Sequence, residues 1–188
     1  RKAPVHHPRH AAITGLGAVS PLGVGMSAYV RGLREGRSGV RRLTFSDPRI
    51  RSTAGAFCPD FDPLQVLEPA ELARVPRLIP MALAAAREAV RQAGWTARDL
   101  DAGDDPPGLI LGTGGGGVDF TLDQAAAGHA GRRPSLWSIT NATHGNLAGE
   151  LSISLGLRGP SLCVSTGCAS ASDAVGLALE LLRSDRPG

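Results

Sequence analysis

The chain has 188 residues and a formal net charge of +3, with Arg supplying most of the positive excess. Its basic residues are spread along the sequence rather than gathered into a stripe with interleaved aromatic residues, which argues against a dedicated nucleic-acid binder. No unbroken apolar run approaches the length of a membrane-spanning helix, and the first ten residues lack the apolar region of a secretory signal. We therefore expect a cytoplasmic protein that does not enter membranes.

The composition also predicts the kind of core. Apolar residues make up 42% of the chain, whereas Phe, Trp and Tyr make up 4%, so the core must be built from closely packed Ala, Leu, Val and Ile. Such a core suits an α/β fold, and the length suits one domain. The three cysteines, Cys58, Cys163 and Cys168, are odd in number and lack Cys-x-x-Cys spacing, so we expect neither a disulfide framework nor a zinc site, but one reactive thiol. We also expect no other metal and no cofactor.

The N-terminal segment divides at a change of composition. Residues 1–10 are basic, rich in His and interrupted by two prolines, which predicts a disordered tail ahead of a domain at residues 11–188. Residues 11–17 form a short apolar run stopped by glycines, and this pattern predicts a buried strand.

Two helices are predicted in the next part of the chain. After a turn at residues 20–23, apolar residues recur at helical spacing over Met26–Arg34. Residues 36–76 have no sustained period and predict an extended surface excursion with short pieces of structure. Apolar residues recur again at helical spacing over residues 78–93, and Gly94 supplies the C-terminal stop.

The C-terminal half of the chain contains two further predicted strands. The pattern at residues 108–112 predicts a buried strand, which ends before the glycine cluster at 114–117. The pattern at residues 161–165 predicts another buried strand, and the chain then runs through Gly167 into Cys168. An apolar stripe beyond Cys168 predicts a helix of about 15 residues.

This arrangement places Cys168 at the first turn of the last predicted helix. Unpaired backbone N–H groups and the positive end of the helix dipole there stabilise a thiolate. Its small neighbours Gly167, Ala169 and Ser170 leave room for an acyl chain and let backbone N–H groups reach an oxyanion. Most buried cysteines are inert small core residues, so the spacing alone leaves a structural role and a nucleophilic role both open.

The residues around Cys168 also resemble a known family. The stretch Gly-Leu-Arg-Gly-Pro-Ser at 156–161, followed by Val-Ser-Thr-Gly-Cys-Ala-Ser at 164–170, resembles the active-site signature of β-ketoacyl-acyl-carrier-protein synthases. Four more segments resemble that family and occur in its order: residues 13–23, 77–94, 112–114 and 141–149. The resemblance spans residues 11 to about 187.

The resemblance implies the N-terminal half of a thiolase-like fold, with a central mixed sheet and the nucleophile at the start of a buried helix. It implies that Cys168 accepts an acyl group from a thioester and that a decarboxylated malonyl thioester then condenses with it, in fatty acid or polyketide synthesis. The backbone N–H of Cys168 would be one oxyanion donor. The implied partners are an acyl carrier protein and a ketosynthase-like chain, in a homodimer or heterodimer that pairs through residues 161–165.

In the resembling family, two catalytic histidines, a lysine and another oxyanion donor come from a second half, which this sequence lacks. His129 and His144 lie outside the family's histidine motifs, so no catalytic role is assigned to them, and His144 is expected to be structural or to line a tunnel. We therefore expect the domain to be incomplete at its C-terminus and inactive alone.

Three alternative hypotheses for the function remain. A non-catalytic partner subunit like a chain-length factor is disfavoured because such chains usually lack the cysteine. A thiolase would place a cysteine similarly. The spacing Gly112-x-Gly114-x-x-Gly117 fits a nucleotide-binding oxidoreductase, but no acidic residue follows about 20 positions later in a plausible strand.

Overall fold

The computed structural model describes residues 10–184 apart from 46, 48, 102 and 104. The tail predicted at residues 1–10 therefore lies outside the described residues except at its last position. The described chain forms two compact units. One comprises Gly15–Gly94, and the other comprises residues 95–184 together with residues 10–14.

The unit Gly15–Gly94 begins with a tight antiparallel hairpin and a helix. Strands β1 (Val19–Ser20) and β2 (Gly23–Val24) pair across the predicted turn, and α1 covers Met26–Arg34, the predicted range. The excursion that follows contains short elements, as expected. These are β3 (Val40–Arg42), which pairs antiparallel with β4 (Ala54–Ala56), a 3₁₀ turn at Pro63–Gln65 and α2 (Pro69–Leu72).

Helix α3 (Leu78–Gln92) supports this unit. Its Ala-rich sequence favours a helix, its residues Ile79 and Leu83 are fully buried, and Gly94 ends it with the left-handed φ of +74° that glycine tolerates best. The carboxylate of Glu88 accepts hydrogen bonds from the backbone N–H groups of Ala18, at 3.0 Å, and Met26, at 2.7 Å. A side chain of α3 thus satisfies the first N–H group of α1.

The other unit contains a parallel strand pair. After the short helix α4 (Ala97–Leu100), strand β5 (Leu109–Gly112) pairs with β6 (Ser161–Val164), with Leu109 opposite Ser161 and Gly112 opposite Val164. Parallel neighbours need a long crossover, which here holds three helices. They are α5 (Val118–His129), α6 (Ser138–Ala142) and α7 (His144–Leu155). The last helix, α8 (Ser170–Arg183), follows β6.

Buried apolar residues of the second unit lie mainly on α7 and α5. Leu147, Ala148 and Leu151 of α7 are almost fully buried, as are Phe120 and Ala127 of α5 to a slightly lesser degree. Helix α7 contacts both strands of the parallel pair, and α8 contacts the same two strands. Helices therefore cover the sheet, which is the arrangement that α/β folds use to bury parallel strands.

The α/β class is confirmed, but three details differ from expectation. The strand predicted at residues 11–17 is wrong, because no described segment forms a ladder with it and Ile13 is 78% exposed. Leu16 is held instead by its N–H group, which donates to the Gln92 side chain of α3 at 2.5 Å. The described residues contain three two-stranded sheets rather than one central mixed sheet. A mixed sheet needs both parallel and antiparallel neighbours, and each described strand has a single neighbour.

The third difference concerns the last helix, which was expected to be buried. Only Ser170 and Ala174 of α8 are buried, whereas Val175 and Leu182 on its apolar stripe are 65% and 64% exposed. The sheet beneath α8 has two strands, so it covers one face of the helix. None of the helices that the structure describes combines the length and apolar character needed to cross a lipid bilayer.

Candidate active site

Cys168 lies in a tight turn between β6 and α8, and its side chain is exposed. Gly167 begins this turn with a φ of +67°, a left-handed conformation that costs a residue with a β carbon about 1–2 kcal/mol. The chain then forms a 3₁₀ turn over Gly167–Ala169 before α8 begins. The small residues of the signature are therefore what lets the strand turn sharply into the helix.

Cys168 lies at the start of the last helical segment, as predicted, but in a 3₁₀ turn that runs directly into α8. Ala169 is the N-cap of α8, so Cys168 precedes the helix by two residues. The local cause is the 3₁₀ turn, in which the N–H of Ser170 bonds to the carbonyl of Gly167 and delays the start of the α-helical pattern. Cys168 thus lies at the N-terminal approach to α8 rather than inside the helix.

Ser170 connects the two sides of the turn. Its side chain is buried, its Oγ accepts a hydrogen bond from the Thr166 N–H at 3.0 Å, and it donates one to the Gly167 carbonyl at 2.7 Å. The sequence predicts only that Ser170 is small enough to leave room beside Cys168. The available signal was a hydroxyl two residues after the cysteine at a helix start, where Ser side chains commonly bond to nearby backbone groups.

Thr166 forms a second link across the turn. Its hydroxyl donates to a carboxylate oxygen of Asp173 at 2.5 Å, and Asp173 lies in the first turn of α8. An acidic side chain at this end of a helix is favoured by the helix dipole. Sequence reasoning missed this pair, because the two residues are seven positions apart and belong to different elements.

The glycine cluster after β5 packs against the same turn. A β carbon at Gly112 would lie 2.4 Å from the Ser170 backbone oxygen, and one at Gly114 would lie 3.0 Å from the Gly167 oxygen. One at Gly116 would lie 2.7 Å from Nε2 of His144. These glycines are explained by close approach of the protein's own atoms, which removes the reason for reading them as a nucleotide-binding fingerprint.

The remaining predicted residues are spread over both units. His144 begins α7 and its ring lies against Gly116, whereas His129 ends α5 and is exposed. Cys163 lies within β6, where partial burial raises the pKa of its thiol. Cys58 is buried in the unit Gly15–Gly94. Cys168 combines an exposed side chain with a position at the start of α8, and its role as the nucleophile stays a prediction.

Comparison with known proteins decides the family. The family model described as "Beta-ketoacyl synthase, N-terminal domain" matches residues 9–186. The chain belongs to the β-ketoacyl synthase family. The predicted resemblance is therefore confirmed, and the exposed turn described above carries the signature that first indicated it.

Relatives of this β-ketoacyl synthase chain include an acyl-carrier-protein-dependent synthase and a polyketide synthase. It is 32% identical over 179 residues to 3-oxoacyl-[acyl-carrier-protein] synthase 2 of Synechocystis sp., a match covering 94% of the chain and 42% of that relative. It is 35% identical over 193 residues to putative polyketide beta-ketoacyl synthase 1 of Streptomyces cyaneus, covering 95% of the chain and 44% of the relative.

A solved structure gives the same result for the fold. The structure named "The ishigamide ketosynthase/chain length factor" matches with a TM-score of 0.79 and 30% sequence identity, over 94% of this chain and 45% of that one. The thiolase-like class predicted for the N-terminal half of a β-ketoacyl synthase is confirmed by this match. The chain spans less than half the length of the relatives it matches.

Proposed function

We propose that Cys168 is the nucleophile of a β-ketoacyl synthase and accepts an acyl group from a thioester. The observation that carries the proposal is the exposed position of Cys168 on the turn between β6 and α8, within the family's signature. Small neighbours leave its Sγ open to an incoming carbonyl carbon. A cysteine in such a position splits a difficult transfer into two easier ones.

In the acylation step, the Cys168 thiol loses its proton and the sulfur attacks the thioester carbonyl carbon. The tetrahedral intermediate carries its negative charge on oxygen, and the Cys168 N–H serves as one donor to that oxyanion. The intermediate collapses by breaking the bond between the carbonyl carbon and the donor's sulfur, which leaves with the electron pair and takes up a proton. Acyl-Cys168 and a free donor thiol result.

In the condensation step, a malonyl thioester loses CO₂, and its α carbon attacks the carbonyl carbon of acyl-Cys168. A carbon–carbon bond forms, the bond to Sγ breaks, and the sulfur leaves with the electron pair as a thiolate. The product is a β-ketoacyl thioester, and the thiolate takes up a proton from solvent to restore the Cys168 thiol. We place the residues that assist decarboxylation, two histidines and a lysine, in the second half present in the longer relatives. On this proposal, the 188-residue chain accepts an acyl group but does not condense it.

The partner proposed for the donor thioester is an acyl carrier protein. Support comes from the name of the Synechocystis relative, a 3-oxoacyl-[acyl-carrier-protein] synthase, which names an acyl carrier protein as the carrier of the acyl group. We also propose a ketosynthase-like chain as partner, in a homodimer or heterodimer, paired through β6. Among the described residues β6 pairs with β5 alone, so its other edge is open to a further strand.

The presence of Cys168 supports a catalytic subunit rather than a chain-length-factor-like partner. The test is the intact mass of the chain after incubation with an acyl thioester, compared with Cys168→Ala. We expect a single acyl addition in the native chain and none in the variant. Equal addition to both, or addition to neither while Cys168 remains freely alkylated, would count against the proposal.

A further inference from the structure

Ser170 joins the chain before Cys168 to the chain after it. The residue is buried, with 2% of its surface exposed, and its hydroxyl makes two hydrogen bonds within the turn. It accepts from the N–H of Thr166 at 3.0 Å and donates to the carbonyl of Gly167 at 2.7 Å. The backbone N–H of Ser170 bonds to the same carbonyl. One peptide unit is thus held by two donors from a single residue.

That peptide unit also contains the N–H of Cys168. The Gly167–Cys168 bond is trans, and in a trans peptide the carbonyl and the N–H point in opposite directions. Fixing the Gly167 carbonyl toward Ser170 therefore turns the Cys168 N–H away from Ser170. The side chain of Ser170 therefore helps to fix the direction of that N–H, together with the Ser170 backbone N–H that bonds to the same carbonyl.

The end of strand β5 and the glycine segment after it pack closely against this arrangement. A β carbon at Gly112 would lie 2.4 Å from the Ser170 backbone oxygen, so the first residue of α8 rests directly on the end of the strand. A β carbon at Gly114 would lie 3.0 Å from the Gly167 oxygen. The Gly167 carbonyl is therefore confined between Ser170 and the segment that follows β5.

We infer that Ser170 is a positioning residue for acyl transfer, which holds the Cys168 peptide so that its N–H meets the oxyanion as it forms. The inference rests on the proposed function, because it assigns the Cys168 N–H as an oxyanion donor. Donors fixed in advance stabilise developing charge without reorganisation during the reaction. Ser170 contacts neither the acyl group nor Sγ in this role.

The test compares two reactions of Cys168 that differ in one respect. Acylation by an octanoyl thioester of N-acetylcysteamine passes through an oxyanion, whereas alkylation by iodoacetamide does not. Both rate constants are measured by intact mass in the native chain and in Ser170→Ala, with thermal unfolding followed by circular dichroism. We expect acylation to fall about tenfold or more, since removal of an oxyanion donor costs about 10²–10³, while alkylation changes less than about twofold.

Two further variants make the result specific. Ser172→Ala makes the same chemical change at an exposed position on the same helix and should leave the ratio of the two rate constants unchanged. Gly114→Ala places a methyl group 3.0 Å from the Gly167 oxygen, and should lower the ratio even if Ser170→Ala does not fold. An unchanged ratio in folded Ser170→Ala, or an equal fall of both rate constants, would overturn the inference.

A measurement on unacylated protein separates this inference from the proposed function. In ¹⁵N-labelled chain, the order parameter of the Cys168 amide should fall in Ser170→Ala relative to Ser172→Ala. A native chain that takes no acyl group defeats the proposed function, while the order parameter still decides the role of Ser170. An unchanged order parameter would show that Ser170 does not hold this peptide.

Discussion

The backbone oxygen of Ser170 lies so close to Gly112 that a β carbon at position 112 would be 2.4 Å from it. The carbonyl carbon of Ser170 and the Cα of Ala171 would lie 2.7 and 2.8 Å away. All three atoms belong to the backbone of α8, which cannot move aside like the end of a flexible side chain. The end of β5 and the start of α8 are therefore in direct backbone contact.

This contact predicts the effect of Gly112→Ala. We expect a loss of about 3 kcal/mol in the free energy of unfolding, at the upper end of overpacking costs, because backbone must shift to admit the methyl group. Urea denaturation followed by circular dichroism measures it. Gly176→Ala is the matched control, since nothing lies within 4 Å of a β carbon there and α8 should gain up to about 1 kcal/mol. Equal stability of the two variants would contradict the predicted clash.

Glu88 is predicted to stabilise the unit Gly15–Gly94. Its carboxylate accepts from the N–H groups of Ala18 and Met26, so Glu88→Ala leaves two partly buried donors without their acceptor. We expect a loss of about 2 kcal/mol in the free energy of unfolding, within the range for unsatisfied buried groups. Chemical denaturation provides the measurement. Glu88→Gln, which keeps one acceptor oxygen, should lose less, and a harmless Glu88→Ala would refute the assignment.

The cysteines should differ in reactivity with pH. Burial raises the pKa of the Cys163 thiol, so near pH 8 this residue carries less of the reactive thiolate than an ordinary cysteine. We expect iodoacetamide to modify the exposed Cys168 first and Cys163 only as the pH rises further. Peptide mass mapping of a timed reaction distinguishes them. Cys168→Ala should then show slow modification near pH 8, and modification of Cys163 as fast as that of Cys168 would be inconsistent with the structure.

Asp99 gives a prediction at low pH. Hydrogen bonds from the Thr96 hydroxyl and backbone N–H hold the pKa of the Asp99 carboxyl below its ordinary value, as part of the capping box of α4. Because the pKa of Asp99 is lower in the folded chain than in the unfolded chain, Asp99 stabilises the fold at pH values above its unfolded-state pKa. This contribution is lost as the pH falls through the folded-state pKa. Thr96→Ala should move the pKa of Asp99 toward its ordinary value in a carboxyl ¹³C titration. An unmoved titration would exclude Thr96 as the cause.

Local patterns were sufficient for much of the fold. Helix α1 occupies its predicted range, and the bounds of α3, α8 and the two parallel strands lie within a few residues of the predicted ones. These predictions succeed because apolar spacing and glycine stops act within each segment. Helices α5 and α7 were not predicted from the pattern. The left-handed glycines just beyond them, Gly131 and Gly156, were the available signals for their ends.

The sequence by itself determined the family and the α/β class and made Cys168 the candidate nucleophile, because these depend on residue types at fixed short spacings. Only the tertiary structure decided that residues 11–17 form no paired strand among the described residues, that a 3₁₀ turn precedes α8, and that Ser170 holds the Gly167 carbonyl. A strand exists only through its partner, and a hydrogen bond depends on where two groups lie in space. Local periodicity contains neither kind of information.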